Sequence, residues 1–201
     1  MSTVLYIKAS VRPQEVSRTL KISEAFIETY KKHHPQDQII TLDLYKENIR
    51  FLTTQDLTEI FAPKTEESRK HPVLKYAYQF AEADKYVIAE PMWNLNLPAI
   101  LKAYIDYITV VGISFKYTEH GAVGLLHGKK AINIISRGGD YLSEPHHSLE
   151  MGDRYMRVLF NFLGICDFTT ISADKLDIVG ENIEAIMSRT IEKAREAAKV
   201  F

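Results

Sequence analysis

Apolar residues along the chain fall into short unbroken runs set between amphipathic stretches. The runs Val4–Ala9 (VLYIKA), Gln38–Leu42, Tyr86–Glu90, Lys129–Ser136 and Ile165–Ser172 have strand length and few breaks, as expected of strands covered on both faces. Between them the apolar spacing lengthens to that of a helix. One helix begins near Ser17, turns Leu20, Ile22, Phe26, Ile27 and Tyr30 inward, and stops at His33-His34-Pro35 because proline cannot continue it. Further helices are predicted around Thr54–Phe61, over Pro72–Asp84, from Pro98 to about Val111, over Met151–Leu163 and over Glu181–Lys199. Residues 48–70 are polar and mixed, and Phe115–Leu125 has the glycines of a small hairpin.

The alternation of strand and helix predicts an α/β fold with a five-stranded parallel sheet and helices on both faces. Right-handed crossovers favour the doubly wound, flavodoxin-like order 2-1-3-4-5. No internal repeat, low-complexity tract or linker interrupts the 201 residues, which reads as one domain.

Composition narrows the function classes. A net charge of -1 gives no large electrostatic attraction to nucleic acid or to an anionic membrane. No apolar run is long enough to span a bilayer, and the N-terminus lacks a signal-peptide pattern, so the chain is read as soluble and cytoplasmic. The single cysteine, Cys166, lies in an apolar segment and reads as a buried, inert thiol. His146 and His147 have no ligand cluster beside them, and no metal site is expected.

Candidate chemistry sits in three loops that follow strands. In an open parallel sheet, ligands bind beyond the carboxyl ends of the strands, near the switch in strand order. The first loop, Ser10 to Arg18, leads into a helix whose free N–H groups suit a phosphate; Ser10 and Ser17 add hydroxyls, and Arg12 or Arg18 adds charge. Neither G-x-G-x-x-G nor G-x-x-x-x-G-K-[ST] is present. The same residues serve equally well as a helix cap with solvated arginines. The second loop offers Met92, Trp93, Asn94 and Leu95, suited to a ring system; taken singly, a tryptophan more often completes a core. The third, Ser136-Arg137-Gly138-Gly139, lets bare backbone approach a ligand, although a glycine pair is commonly just a tight turn. Together the loops fit a mononucleotide with a large planar ring, FMN best of all.

With these motifs in hand, the sequence resembles the FMN-dependent NAD(P)H azoreductases and quinone reductases of the flavodoxin-like fold. The resemblance is carried by PMWNLNLPAILKAYID (91–106), GISFKYTEHGAVGLLHGKKA (112–131), SRGG (136–139) and FNFLGICD (160–167), and it spans essentially the whole chain. It implies a homodimer with one FMN per subunit, and NADH or NADPH as co-substrate. It also implies that Ser10 and the Glu15-Val16-Ser17 turn hold the FMN phosphate. Met92, Trp93, Asn94 and Leu95 would line the flavin ring, and Ser136, Arg137, Gly138 and Gly139 would meet its other edge. Tyr117 and Phe162 match aromatic positions that shape the family's substrate pocket, partly from the neighbouring subunit. The family often has tyrosine where Trp93 stands, and more polar residues at Glu15 and Val16.

The implied reaction is ping-pong: hydride passes from the nicotinamide to the flavin, and electrons then pass to a quinone or azo compound. No residue of the chain is expected to act as catalyst in its own right, since the flavin N5 carries the chemistry. Two rival readings are a flavodoxin-like electron carrier and a non-catalytic flavin-binding protein; such carriers are usually strongly acidic, and this chain is nearly neutral. The Leu97–Val111 helix is apolar beyond one stripe, with Tyr104, Tyr107 and Val110 added to Ile100, Leu101 and Ile108. That pattern fits a dimer interface and deep burial within the monomer equally.

Overall fold

Side chains of β1 (Thr3–Lys8) alternate between two hydrophobic cores: Leu5 and Ile7 enter one, Val4 and Tyr6 the other. This strand is therefore covered on both faces, which explains its unbroken apolar run. The computed structural model describes residues 1–201. Its main sheet has five strands in the order β2 (Gln38–Asp43), β1, β3 (Lys85–Pro91), β6 (Lys130–Ser136), β7 (Asp167–Ala173). All four pairings are parallel. The expected doubly wound order is the observed one, and it reverses direction between β1 and β3. A separate antiparallel hairpin, β4 (Phe115–Thr118) and β5 (Gly121–Gly124), stands where one was expected.

Helices α1 (Arg18–His33) and α6 (Ile183–Val200) cover one face. Helices α3 (Leu74–Glu82), α4 (Ala99–Ile108) and α5 (Gly152–Phe162) cover the other, joined by Ile60 of α2 (Thr54–Phe61). Each fully buried leucine or isoleucine contributes about 2 kcal/mol from apolar burial. Several tyrosines of these cores are paired, as where Tyr30 Oη donates to Asp37 Oδ2 at 2.6 Å, whereas the buried Tyr104 Oη has no partner. The segment 48–70, the least legible in sequence, holds α2 and a short 3-10 turn at Glu67–Lys70. Thr53 and Asp56 form a capping box at the start of α2, and Arg50 clamps Asp56 through two hydrogen bonds of 2.5 and 2.8 Å.

Two expectations resolve here. The apolar surplus of α4 is absorbed inside the monomer: Tyr104, Tyr107 and Val110 are all buried. Tyr76 packs edge-on against Tyr104, and Tyr107 Oη donates to the carbonyl of Arg50 at 2.8 Å. The helix pattern thus reports burial and carries no argument for an interface. Cys166 is a correction: it is exposed, not buried. Ile165 before it is buried, but Cys166 stands just ahead of β7 and is exposed, its thiol 3.4 Å from Asn161 Oδ1. No helix is long and apolar enough to cross a membrane.

Candidate functional site

The carboxyl ends of β1, β3 and β6 open together into one cleft. Its walls are Ser10, Arg12, Ser17, Arg18 and Thr19 from the first loop and helix, Pro91, Met92 and Trp93 after β3, and Ser136, Arg137 and Gly138 after β6. Leu176 and Asp177 close it from the connection between β7 and α6. Three loops distant in sequence thus meet at the strand-order switch.

The first loop is built for an anion. Pro13 accepts hydrogen bonds from the N–H groups of Val16 and Ser17, which folds the turn so that Ser17 caps α1. Ser17 Oγ accepts from the N–H of Leu20 at 3.3 Å and shares a hydrogen bond with Ser10 Oγ at 2.9 Å. Capping leaves the other first-turn N–H groups without intrahelical acceptors, and no acid lies in that turn to compete with a bound anion. Thr19 Oγ1 and Ser136 Oγ meet at 2.6 Å, so four hydroxyls, one helix N-terminus and Arg18 converge. That donor set fits a phosphate.

The second loop is a two-residue reverse turn. Trp93 and Asn96 exchange both backbone hydrogen bonds, at 2.8 and 3.0 Å, while Asn94 (φ 50°) and Leu95 (φ 68°) occupy the left-handed region. A leucine held there is strained by roughly 1 kcal/mol, a feature that clusters at ligand sites. Trp93 does not complete the core: it is 39% exposed and stands between the first cleft and a second, apolar one lined by Asn94, Leu97, Pro98, Met151 and Tyr155. An indole at a shared rim is placed to meet a planar ring reaching from one cleft to the other.

The third loop turns its charge inward. Arg137 is only 5% exposed, and its guanidinium lies between Asp174 (3.3 Å) and Glu150 (3.5 Å), with Nε left without a partner. It is a buried strut, and charge for a ligand at the mouth falls instead to Arg12 and Arg18. Glu150 also accepts from the N–H groups of Asp153 and Arg154, while Met151 N–H donates to the carbonyl of Leu95. The strut therefore ties the glycine loop to the start of α5 and to the Trp93 turn.

Beneath these loops lies a buried acid. Glu90 is fully buried at the end of β3; its Oε1 accepts from Asn133 Nδ2 at 3.0 Å, and its Oε2 has no partner. The same amide nitrogen donates to Asp153 Oδ1 at 3.1 Å. Burial, reinforced by the charges of Asp153 and Glu150 and opposed by the Asn133 bond and Arg137, pushes the Glu90 carboxyl up to about 8. Asp153 accepts from Thr170 Oγ1 at 2.6 Å and from Arg157 Nε at 2.9 Å.

Of the residues selected from sequence, Ser10, Ser17, Met92, Trp93, Ser136, Arg137 and Gly138 line the cleft, and Asn94 lines the second one. Glu15 and Val16 lie exposed on the turn, and Leu95 and Gly139 flank the clefts without lining them. Tyr117 and Phe162 both pack against Phe115, at 5.4 and 5.2 Å between ring centroids, outside both clefts. Sequence reading missed Thr19, Leu176, Asp177 and the Glu90–Asn133–Asp153 set. The signal for Glu90 and Asn133 was present, since both are polar residues inside buried apolar runs.

The chain matches the family described as flavodoxin-like fold over residues 2–198. It is 65% identical to an FMN-dependent NADH:quinone oxidoreductase 2 of Clostridium acetobutylicum and 61% identical to an FMN-dependent NADH:quinone oxidoreductase of Caldicellulosiruptor saccharolyticus. Each match covers 100% of both chains. Among solved structures it superposes on an azoreductase from Bacillus anthracis with a TM-score of 0.91 and 37% identity over 100% of both chains. An FMN-dependent NADH-azoreductase of the same species, solved in complex with FMN, gives 0.88 and 29% over 98% of both.

Proposed function

The chain belongs to the flavodoxin-like fold family, and from that premise we propose that it is an FMN-dependent oxidoreductase that uses NADH or NADPH to reduce quinones and azo compounds. The observation that carries this reading is the meeting of a phosphate-type donor set with Trp93, exposed at the rim, at the strand-order switch.

The residues fit FMN. Ser10, Ser17, Thr19 and the first turn of α1 would hold the phosphate, with Arg18 adding positive charge. Met92 and Trp93, with Asn94 and Leu95 on the strained turn, would lie along the ring, and Ser136, Gly138 and Gly139 would offer backbone donors at its edge. The chemistry a bound FMN supplies is two-electron transfer from a dihydronicotinamide to the acceptor. The protein's part is to bind, orient and exclude water. The Arg137 strut fixes the glycine loop, so that its backbone donors would be held in place for a bound ring. The half-exposed apolar surface of Trp93, Met151 and Tyr155 would leave room for flat substrates to take turns at one face, as ping-pong turnover requires.

A homodimer belongs to the same proposal. The apolar second cleft and the exposed side chains of Tyr117 and Phe162 are surfaces that a second copy would cover, closing the substrate pocket. The site of action is the cytoplasm, where the nicotinamide pool resides.

An absorbance scan followed by anaerobic addition of NADH tests the reading. Flavin bands that bleach with NADH and return on adding a quinone or an azo dye are expected, with parallel double-reciprocal plots. A colourless protein that neither binds FMN nor oxidises NADH would overturn it.

A further inference from the structure

We propose that Asp177 is the internal counter-anion of the phosphate cleft: it competes with the FMN phosphate for Arg18, and so sets how strongly the site prefers a phosphorylated flavin. The inference rests on the cleft being the seat of an FMN phosphate.

Arg18 is the first residue of α1, directly after the Ser17 cap, and its Nη1 donates to Asp177 Oδ1 at 2.6 Å. Both residues line the cleft. With the Arg137 guanidinium committed to Asp174 and Glu150, Arg18 and Arg12 are the cations at the mouth, and Asp177 occupies one of them. The carboxylate thus makes the kind of charge-assisted contact that a phosphate oxygen would make.

Asp177 is also positioned, not incidental. Its own N–H donates to the carbonyl of Gly138 at 3.0 Å, and those of Leu176 and Lys175 donate to the carbonyls of Arg137 and Gly139 at 3.1 and 2.8 Å. The segment leading to α6 is therefore clamped along the glycine loop. The carboxylate lies against the bare backbone of residue 138: a Cβ there would lie 2.6 Å from Asp177 Oδ2, so this placement of the acid uses the space that glycine leaves. An acid held at this spot places a like charge beside an incoming phosphate dianion. The side chain is 71% exposed, so it can give up Arg18 and turn to solvent without a burial cost. A flavin lacking the phosphate has no reason to displace it.

The test is flavin titration of the full-length protein stripped of cofactor, with FMN and riboflavin compared by fluorescence quenching. The Asp177→Asn protein is expected to bind FMN about two- to five-fold more tightly than wild type, the range of one exposed ion pair, with riboflavin unchanged. Arg18→Ala is expected to weaken FMN binding, and Asp177→Asn added to it to gain less than it does in wild type, since only the direct repulsion is then left to remove. The proposal is overturned if Asp177→Asn leaves FMN affinity unchanged or lowers it, or if riboflavin shifts by the same factor, which would make the residue a matter of shape and not charge. Wild-type protein that fails to bind FMN would overturn the cofactor reading as well, and would show before any variant is compared.

Discussion

Thr19 Oγ1 lies 2.6 Å from Ser136 Oγ, so the first turn of α1 and the last residue of β6 meet through two buried hydroxyls. This contact joins the phosphate-type loop to the glycine loop across 117 residues of sequence. Thr19→Val keeps the shape and removes the hydrogen bond, leaving the Ser136 hydroxyl short of a partner. The expected cost is about 1 kcal/mol in unfolding free energy. FMN affinity should fall about three- to ten-fold, because both loops proposed to grip the cofactor lose their common anchor. Urea unfolding and flavin titration measure the two effects separately; an unchanged Kd would remove Thr19 from the site.

The turn at Asn94 and Leu95 should show a trade between stability and function. Leu95 sits at φ 68°, where glycine carries no penalty, so Leu95→Gly is expected to stabilise the fold by roughly 1 kcal/mol. The same change removes a half-exposed side chain beside Trp93 and frees the backbone around it. Flavin binding and turnover should therefore decline while the thermal midpoint rises. Calorimetry paired with NADH:quinone kinetics checks both signs; a protein that loses thermal stability would show that Leu95 is not strained.

Gly124 is predicted to be indispensable for packing, not chemistry. It ends β5, and a Cβ there would lie 2.2 Å from the carbonyl carbon of Leu163 and 2.3 Å from the nitrogen of Gly164. Both are backbone atoms just past α5, and Leu126 N–H binds the Leu163 carbonyl at 2.9 Å next to them. The hairpin thus docks backbone on backbone, and no rotamer change relieves a clash. Gly124→Ala should destabilise the protein by about 1–3 kcal/mol. Hydrogen exchange should rise first in β4 and β5, carrying Tyr117 with them. Wild-type exchange rates in the variant would contradict this packing.

The sheet was legible in sequence because its signals are local: unbroken apolar runs, helix spacing, and Pro35 and Pro98 at element ends. The three loops were legible for the same reason, since chain order alone puts each after a strand. Thr19, Asp177 and the Arg137 strut were not, because their roles come from partners brought together by the fold. Arg137 shows the difference well: sequence identifies a cation beside two glycines, and only Asp174 and Glu150 reveal that its charge is spent inside. Cys166 and α4 show the same effect in burial. An apolar neighbourhood in sequence does not say whether a thiol just ahead of an edge strand is covered, or whether a mostly apolar helix is covered by its own chain.

Glu90 should make stability depend on pH in a direction opposite to that of an ordinary paired carboxylate. Its folded value is raised to about 8 from an ordinary value of 4.5. Between these values the folded state holds a proton that the unfolded state has released, so unfolding releases a proton and stability falls as pH rises. The slope from this group is about 1.4 kcal/mol per pH unit across roughly pH 5 to 7.5, levelling off above 8 where both states are ionised. The groups facing it are Asp153 and Glu150, which oppose its charge, and Arg137 and Asn133, which favour it; Asn133 bridges it to Asp153. Glu90→Gln imitates the neutral acid and should flatten the slope in this window while leaving the protein folded. Glu90→Ala would leave the Asn133 amide with one fewer acceptor and open a cavity, and should destabilise at every pH. Urea unfolding of wild type and Glu90→Gln at intervals from pH 5 to 8.5 decides the matter: parallel curves for the two proteins would mean that Glu90 is ionised in the fold throughout, and that the acid network beneath the cleft carries its charge at neutral pH.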